Sequence, residues 1–154
     1  MSRRRWKSIL VIGSVVVIAL VLVAQLIPYG RNHTNPPVVR EPSWDSSTTR
    51  ALAERACFDC HSNQTRWPWY SHVAPMSWFV QSHVDEGRGV LNFSDWGRGN
   101  SEADEAAETV REREMPPRSY TLLHPEARLT DGEREQLARG LDASLLVTRR
   151  GNAD

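Results

Sequence analysis

Two thiols and an imidazole fall within five residues of this chain, Cys57-Phe58-Asp59-Cys60-His61, and these are its only two cysteines. C-x-x-C-H is the spacing of c-type haem attachment. On a helical end two thiols so spaced point to one side and can reach both vinyl groups of one porphyrin as thioethers. The next residue, His61, then offers an imidazole nitrogen as the proximal iron ligand. Other chemistries fit less well. A thioredoxin-like dithiol opens a helix after a β-strand, and the sequence shows no βαβ pattern. A four-cysteine zinc site lacks the cysteines, and the histidines are scattered. Two cysteines are also too few for a disulfide-stapled mini-protein.

A sixth iron ligand has several candidates. Met115 heads a Met-Pro-Pro turn, and a thioether on a proline-locked loop suits a distal position; Met/His ligation raises the reduction potential. Met76 falls within an expected helix and reads as packing. His72, His83 and His124 offer bis-histidine ligation instead, with His83 the best placed because it lies on a helix; His33 reads as neither ligand nor core. Arg66, Arg88 and Arg118 are candidates for pairing haem propionates by charge-assisted hydrogen bonds. Trp67, Trp69, Tyr70, Trp78, Trp96 and Tyr120 read first as core packing, and in a haem protein would also wall the pocket.

These residues must be positioned by a small domain. The chain has 154 residues, 19 basic and 19 acidic, so the formal net charge is zero. That argues against a nucleic-acid partner. The charges are segregated: Arg3, Arg4, Arg5 and Lys7 precede the first acidic residue, Glu41, and without those four the chain is net acidic. Residues 1–8 form a basic N-terminus. Ile9 to Ile27 then runs 19 residues without a charge, roughly 28 Å as a helix, close to a bilayer's hydrocarbon thickness. The run is longer than a signal peptide's apolar region and lacks a small-x-small cleavage site, so an uncleaved anchor is expected. The basic flank places the N-terminus in the cytoplasm and the remainder on the extracytoplasmic side of the cytoplasmic membrane.

Residues 28–47, with Pro28, Pro36, Pro37 and Pro42, read as a linker. Four helices are expected in the domain over 48–147. The first runs from Thr48 to Cys60. The second runs from Ala74 to Glu86, with Pro75 in its first turn, Trp78, Phe79 and Val84 inward, and Gly87 and Gly89 ending it. The third runs from Ser101 to Glu114, where Ser101 and Asp104 resemble a capping box, and stops at Met115-Pro116-Pro117. The last runs from Asp131 to Val147, capped by Thr130 with Glu133, with Leu137, Leu141, Leu145 and Leu146 as its apolar stripe. Residues 148–154 read as a disordered tail. The fold expected is all-α. The acidic run from Glu102 to Glu114 reads as a solvated face that could also steer a basic redox partner.

Longer stretches carry a family resemblance. Cys57-Phe-Asp-Cys-His-Ser-Asn-Gln-Thr-Arg-Trp-Pro-Trp-Tyr70 resembles the bacterial haem-binding domain family of small c-type cytochromes. Ala74-Pro75-Met76-Ser77-Trp78, His83-Val-Asp-Glu-Gly-Arg88, Leu91-Asn92-Phe93-Ser94 with Trp96, Met115-Pro116-Pro117, and Tyr120 with His124-Pro125 continue the likeness. The resemblance implies one covalent haem c in a cytochrome-c-like helical domain behind an N-terminal transmembrane helix. It assigns Cys57, Cys60 and His61 to the haem and places Met115 where a distal ligand is expected. The resemblance names the cofactor rather than the role; the function expected is single-electron transfer with redox partner proteins, without enzymic activity. Alternatives are a haem-based sensor or gas-binding module, for which Met115 is the discriminating residue, a peroxidase, for which no distal His–Arg pair is evident, and a thiol–disulfide protein using the Cys57/Cys60 pair.

Overall fold

The computed structural model describes residues 3–96, 100 and 103–151, with side chains for 5–96, 100 and 103–144. Among the described residues the chain is helical, with seven α-helices, two short 3-10 turns and no strand. A single parallel bridge joins Arg40 and Asp95.

The first helix, α1, spans Arg3–Ala24. From Ile9 to Val23 its large apolar side chains stand exposed on every side, uncovered by any of the described residues. Among the described residues this is one helix long and apolar enough to cross a membrane, over Arg5–Ala24. It tightens at its end, where Leu26 N–H donates to the Val23 carbonyl and Ile27 N–H to that of Ala24.

The chain divides into two compact units, Met1–His33 with Trp67–Ser82, and Thr34–Arg66 with His83–Asp154. The first contains α1, a 3-10 turn at Trp69–His72 and the start of α4, Met76–Val90. The second holds α2 (Ser47–Ala56), the one-turn α3 (Phe58–His61), the rest of α4, α5 (Ala106–Arg111), α6 (Arg118–Leu123) and α7 (Asp131–Gly151).

In the second unit three short amphipathic faces meet. α2 buries Thr49, Leu52, Ala53 and Ala56. α5 contributes Ala106, Ala107 and Val110, and α7 contributes Leu137, Ala138 and Leu141. Alanine dominates the seams, so the helices approach closely and each apolar contact is small. The larger volume comes from stacked aromatics: Phe58 on Phe93 at 5.6 Å and Phe93 on Trp96 at 5.9 Å, with Trp44 tilted 5.3 Å from Phe93. Residues 34–46 have no helix yet belong to this unit. Asn63 donates to the Pro37 carbonyl, Val39 N–H donates to Ser94, and Trp44 packs on the core. The stretch 28–47, expected as a linker, is irregular up to Ser46, which caps α2, while its second half is packed.

The helix ends carry the physics. Ser46 caps α2 by accepting from Thr49 N–H. Thr130 and Glu133 form a reciprocal capping box at α7: Glu133 N–H donates to the Thr130 hydroxyl and Thr130 N–H to the Glu133 carboxylate. Together with the Arg55 guanidinium, that pairing holds the Glu133 carboxyl down to about 2. The expected box at Ser101 lies outside the described residues; α5 begins at Ala106 without a side-chain cap. Leu145 and Leu146 also have no described side chains, and α7 continues past Val147 to Gly151.

Two expectations for α4 are corrected. The helix does not stop at Gly87 and Gly89 but runs through both to Val90. Nor does Phe79 face inward: it is 49% exposed. The buried stripe runs through Ser77 and Val84, seven residues apart and so on one face, while Phe79 sits about 200° round the helix from Ser77.

Candidate functional site

The Cys57–His61 segment is a corner. α2 closes with Cys57 N–H on the Ala53 carbonyl, and Cys57 leaves helical geometry at φ −126°. One further turn follows, in which Cys60 N–H and His61 N–H both donate to the Cys57 carbonyl. The expected continuous helix over 48–60 is therefore two helices broken at Cys57. This break lets Phe58 enter the core while Cys57, Cys60 and His61 line a cavity of about 220 Å³. Its other walls come from α4 and the loop after it (Val90, Leu91, Phe93), from Val110 on α5, from Leu141 on α7, and from Met115, Pro117 and Tyr120.

Both cysteines are thiols, not joined in a disulfide. Burial, and secondarily the neighbouring Cys60, pushes the Cys57 thiol up to about 12. Burial and the Asp59 carboxylate push Cys60 up to about 11, against the opposing Arg88 charge. These are neutral thiols at pH 7, the reverse of the depressed thiol on which a dithiol oxidoreductase depends.

His61 is oriented by α4. Its Nδ1 lies 3.0 Å from the Gly87 carbonyl and 3.2 Å from that of Leu91. Two carbonyl acceptors require a protonated Nδ1, which places the ring's lone pair on Nε2, the arrangement that orients a ligating imidazole. Gly87 itself is a contact requirement. A Cβ there would stand 2.6 Å from the Cys60 carbonyl oxygen and 3.1 Å from the Cys60 Cβ, so only glycine lets α4 lie against the Cys57–His61 corner.

Asp59, between the two cysteines, ties the corner to the opposite wall. Its carboxylate accepts from the Tyr120 hydroxyl at 2.6 Å, from Arg66 N–H at 3.0 Å, and from the Arg66 guanidinium at 3.2 and 3.3 Å. Burial, then the Asp59 hydrogen bond, pushes the Tyr120 phenol far above its usual range. Asp59 is a residue that sequence reasoning passed over. Its position within C-x-x-C-H was visible, but nothing in sequence connects it to residue 120.

Met115 reaches the cavity wall on a backbone held from two sides. Its N–H donates to the Thr109 carbonyl, and its own carbonyl accepts from Arg134. His83 lines the same cavity from α4. The structure thus brings Cys57, Cys60, His61, Met115 and His83 to one cavity. The other candidates go elsewhere. His33 and His72 lie together in the first unit, ring centroids 4.3 Å apart. His124 stacks on Tyr120 at 4.3 Å and pairs with Glu126, and Met76 is exposed at the start of α4.

The arginines and aromatics considered for the pocket also sort differently. Arg66 is committed to Asp59. Arg88 donates to the Ser62 and Thr34 carbonyls, to Asn35 and to Thr65; it braces residues 34–35 and 62–65 against α4. Arg118 is exposed. Among the described residues, Tyr120 is the one of the six proposed aromatics on the cavity wall. Trp96 is in the core, and Trp67, Trp69, Tyr70 and Trp78 lie in the first unit. Phe93, which composition did not single out, supplies the aromatic face.

A family model for a haem-binding domain matches residues 19–143, most of the chain. No curated protein and no solved structure gives a match. The cavity's residues fit such a group. They combine an apolar wall, two adjacent neutral thiols, and an imidazole whose Nδ1 is already engaged by carbonyls.

Proposed function

This chain belongs to the haem-binding domain family, and from that premise we propose that it is a membrane-anchored monohaem c-type cytochrome. The observation that carries the reading is that both thiols, His61 and Met115 line one apolar cavity. Cys57 and Cys60 would hold the haem covalently, as thioethers to its two vinyl groups. His61, oriented by the Gly87 and Leu91 carbonyls, and Met115, with His83 as the alternative on the same wall, would ligate the iron.

When bound, the haem supplies a one-electron ferric–ferrous couple. The chain's residues ligate, bury and orient it. The apolar wall keeps water from the site, and Asp59, Arg66 and Tyr120 form a fixed polar edge beside the attachment corner. The reading requires no substrate conversion: one electron enters from a donor protein and leaves to an acceptor, so no enzymic activity is assigned. α1 anchors the chain with Arg3, Arg4, Arg5 and Lys7 in the cytoplasm, and the haem-bearing unit works outside, where c-type attachment takes place.

The test is the intact mass of the full chain produced with c-type maturation machinery and denatured before analysis. One haem added to the mass, and lost in Cys57→Ala/Cys60→Ala, is expected. An apoprotein mass would overturn covalent attachment. Met115→Ala should change the ferric haem spectrum; an unchanged spectrum would transfer the distal role to His83 or leave the sixth position to an exogenous ligand, as a gas-binding module requires.

A further inference from the structure

The first unit contains a second patterned segment that does not line the cavity. Residues 67–82, Trp-Pro-Trp-Tyr-Ser-His-Val-Ala-Pro-Met-Ser-Trp-Phe-Val-Gln-Ser, carry no Asp, Glu, Lys or Arg in a chain that is 25% charged. They hold three tryptophans, a tyrosine and a phenylalanine. Several apolar side chains here face solvent: Trp69 is 79% exposed, and Val73, Met76 and Phe79 are also exposed. Exposed apolar side chains grouped on an uncharged segment mark an interaction site.

Its partner is indicated by where it is fastened. Gln25 is the first residue after α1, and its side-chain amide pairs with the backbone of Ala74 as another strand would. Nε2 donates to the Ala74 carbonyl at 2.9 Å, and Ala74 N–H donates to Oε1 at 3.0 Å. Gly30, at φ +77°, lies so close that a Cβ would overlap the Ser77 carbonyl. His33 pairs with the Ser71 carbonyl and stacks on Trp67 at 4.6 Å. The segment is therefore held at the end of the apolar helix. The span Arg5–Ala24 has 20 residues, about 30 Å of helix, enough to fill the hydrocarbon thickness, so its end marks the boundary where Gln25 lies. Arg31 donates to the Gln25 carbonyl, a cation at headgroup level. Tryptophan and tyrosine concentrate at that depth in membrane proteins because their rings bury while their polar edges stay wet.

We propose that Trp67–Ser82 is an interfacial docking surface, seated among the headgroups and upper acyl chains of the extracytoplasmic leaflet that the chain's own anchor crosses. The proposal rests on the anchor reading above. It makes the patch the counterpart of a lipid surface rather than of a protein.

The experiment uses the full chain labelled with 5-fluorotryptophan and reconstituted in phosphatidylcholine vesicles, with the Trp69 fluorine resonance assigned by its absence in Trp69→Phe. Trp69 is exposed, so this replacement leaves the fold intact. Relaxation is compared with and without lipid spin-labelled near the headgroup, and with and without an aqueous gadolinium chelate. Loss of the Trp69 signal with spin-labelled lipid and its survival with the chelate is expected. Loss with the chelate alone would overturn the proposal, and survival with both would overturn it in favour of a second copy covering the patch. Alkaline extraction separates the two premises. A chain stripped from the vesicles refutes the anchor, whereas a retained chain with Trp69 in water refutes the docking alone.

Discussion

Gly87 and Gly89 lie two residues apart in one helix, and replacing each by alanine should move stability in opposite directions. Alanine in place of a helical glycine is worth about 0.5–1 kcal/mol through backbone entropy alone. At Gly89 nothing lies within 4 Å of the added Cβ, so Gly89→Ala should stabilise by about that amount. At Gly87 the Cβ would sit 2.6 Å from the Cys60 carbonyl oxygen, where ordinary contact begins at 3.4 Å. Something must move by about 0.8 Å. The neighbours are backbone and Cβ atoms of the attachment corner, with no flexible side-chain end to yield. Overpacking of that kind costs about 1–3 kcal/mol. The same displacement stretches the His61 Nδ1 bond to the Gly87 carbonyl, now 3.0 Å, a further loss of about 0.5–1.5 kcal/mol. Against the propensity gain, Gly87→Ala should destabilise by about 1–3.5 kcal/mol. The assay is guanidinium unfolding of the haem-loaded full chain in detergent, followed at the Soret band, with the reduction midpoint measured alongside. A Gly87→Ala chain as stable as the parent, or equal shifts from the two alanines, would refute the close-approach argument.

Other outcomes follow from single contacts. Tyr120→Phe deletes a 2.6 Å hydrogen bond to the Asp59 carboxylate and should cost about 1.5–3 kcal/mol, nearer the lower figure because Arg66 still holds Asp59; a loss under about 0.5 kcal/mol in the same unfolding assay would remove Tyr120 from the corner's support. Arg88→Lys keeps the charge but not the fork that reaches Ser62, Thr34, Asn35 and Thr65, and about 1–2 kcal/mol should be lost. Glu133, held down to about 2, is favoured in its charged form by folding. The stability it contributes is complete above about pH 4.5, the ordinary carboxyl value, and disappears as pH falls towards 2. Glu133→Gln should therefore flatten the stability profile across that acid window, and an unchanged profile would refute the capping-box assignment.

What could be read from sequence was local. C-x-x-C-H was legible because its chemistry depends on spacing within five residues, and the Thr130/Glu133 box for the same reason. All-helical content and the apolar span followed from periodicity and its absence. The misreadings arose where a distant partner decided the matter. Gly87 and Gly89 read as terminators by propensity, but Gly87 is there because Cys60 lies against it. Phe79 read as core by its type, whereas small Ser77 occupies the buried face. Trp67 and Trp69 read first as core packing and, in a haem protein, as pocket wall, because composition carries no information on the unit in which an aromatic lies. Asp59 was invisible as a link, since its partner is 61 residues away.

The two sides of the cavity are held by separate sets of bonds, and that separation makes the distal assignment testable. The His61 side depends on the Gly87 and Leu91 carbonyls meeting its Nδ1. Met115, the proposed distal ligand, is fixed through its backbone, by the Thr109 carbonyl and the Arg134 guanidinium, and Arg134 also donates to the Val110 carbonyl. None of these bonds uses the Met115 side chain. Met115→Ala therefore removes the thioether while leaving the loop's hydrogen bonds in place. Because the side chain is only partly buried against the core, the packing loss should fall at or below the lower end of the 2–5 kcal/mol range for buried Met→Ala. A ferric spectrum that changes while the thioether-linked haem and a cooperative unfolding transition persist would assign the thioether as ligand. A lost transition with an unchanged spectrum before unfolding would make Met115 a packing residue and leave His83 as the cavity's remaining distal candidate.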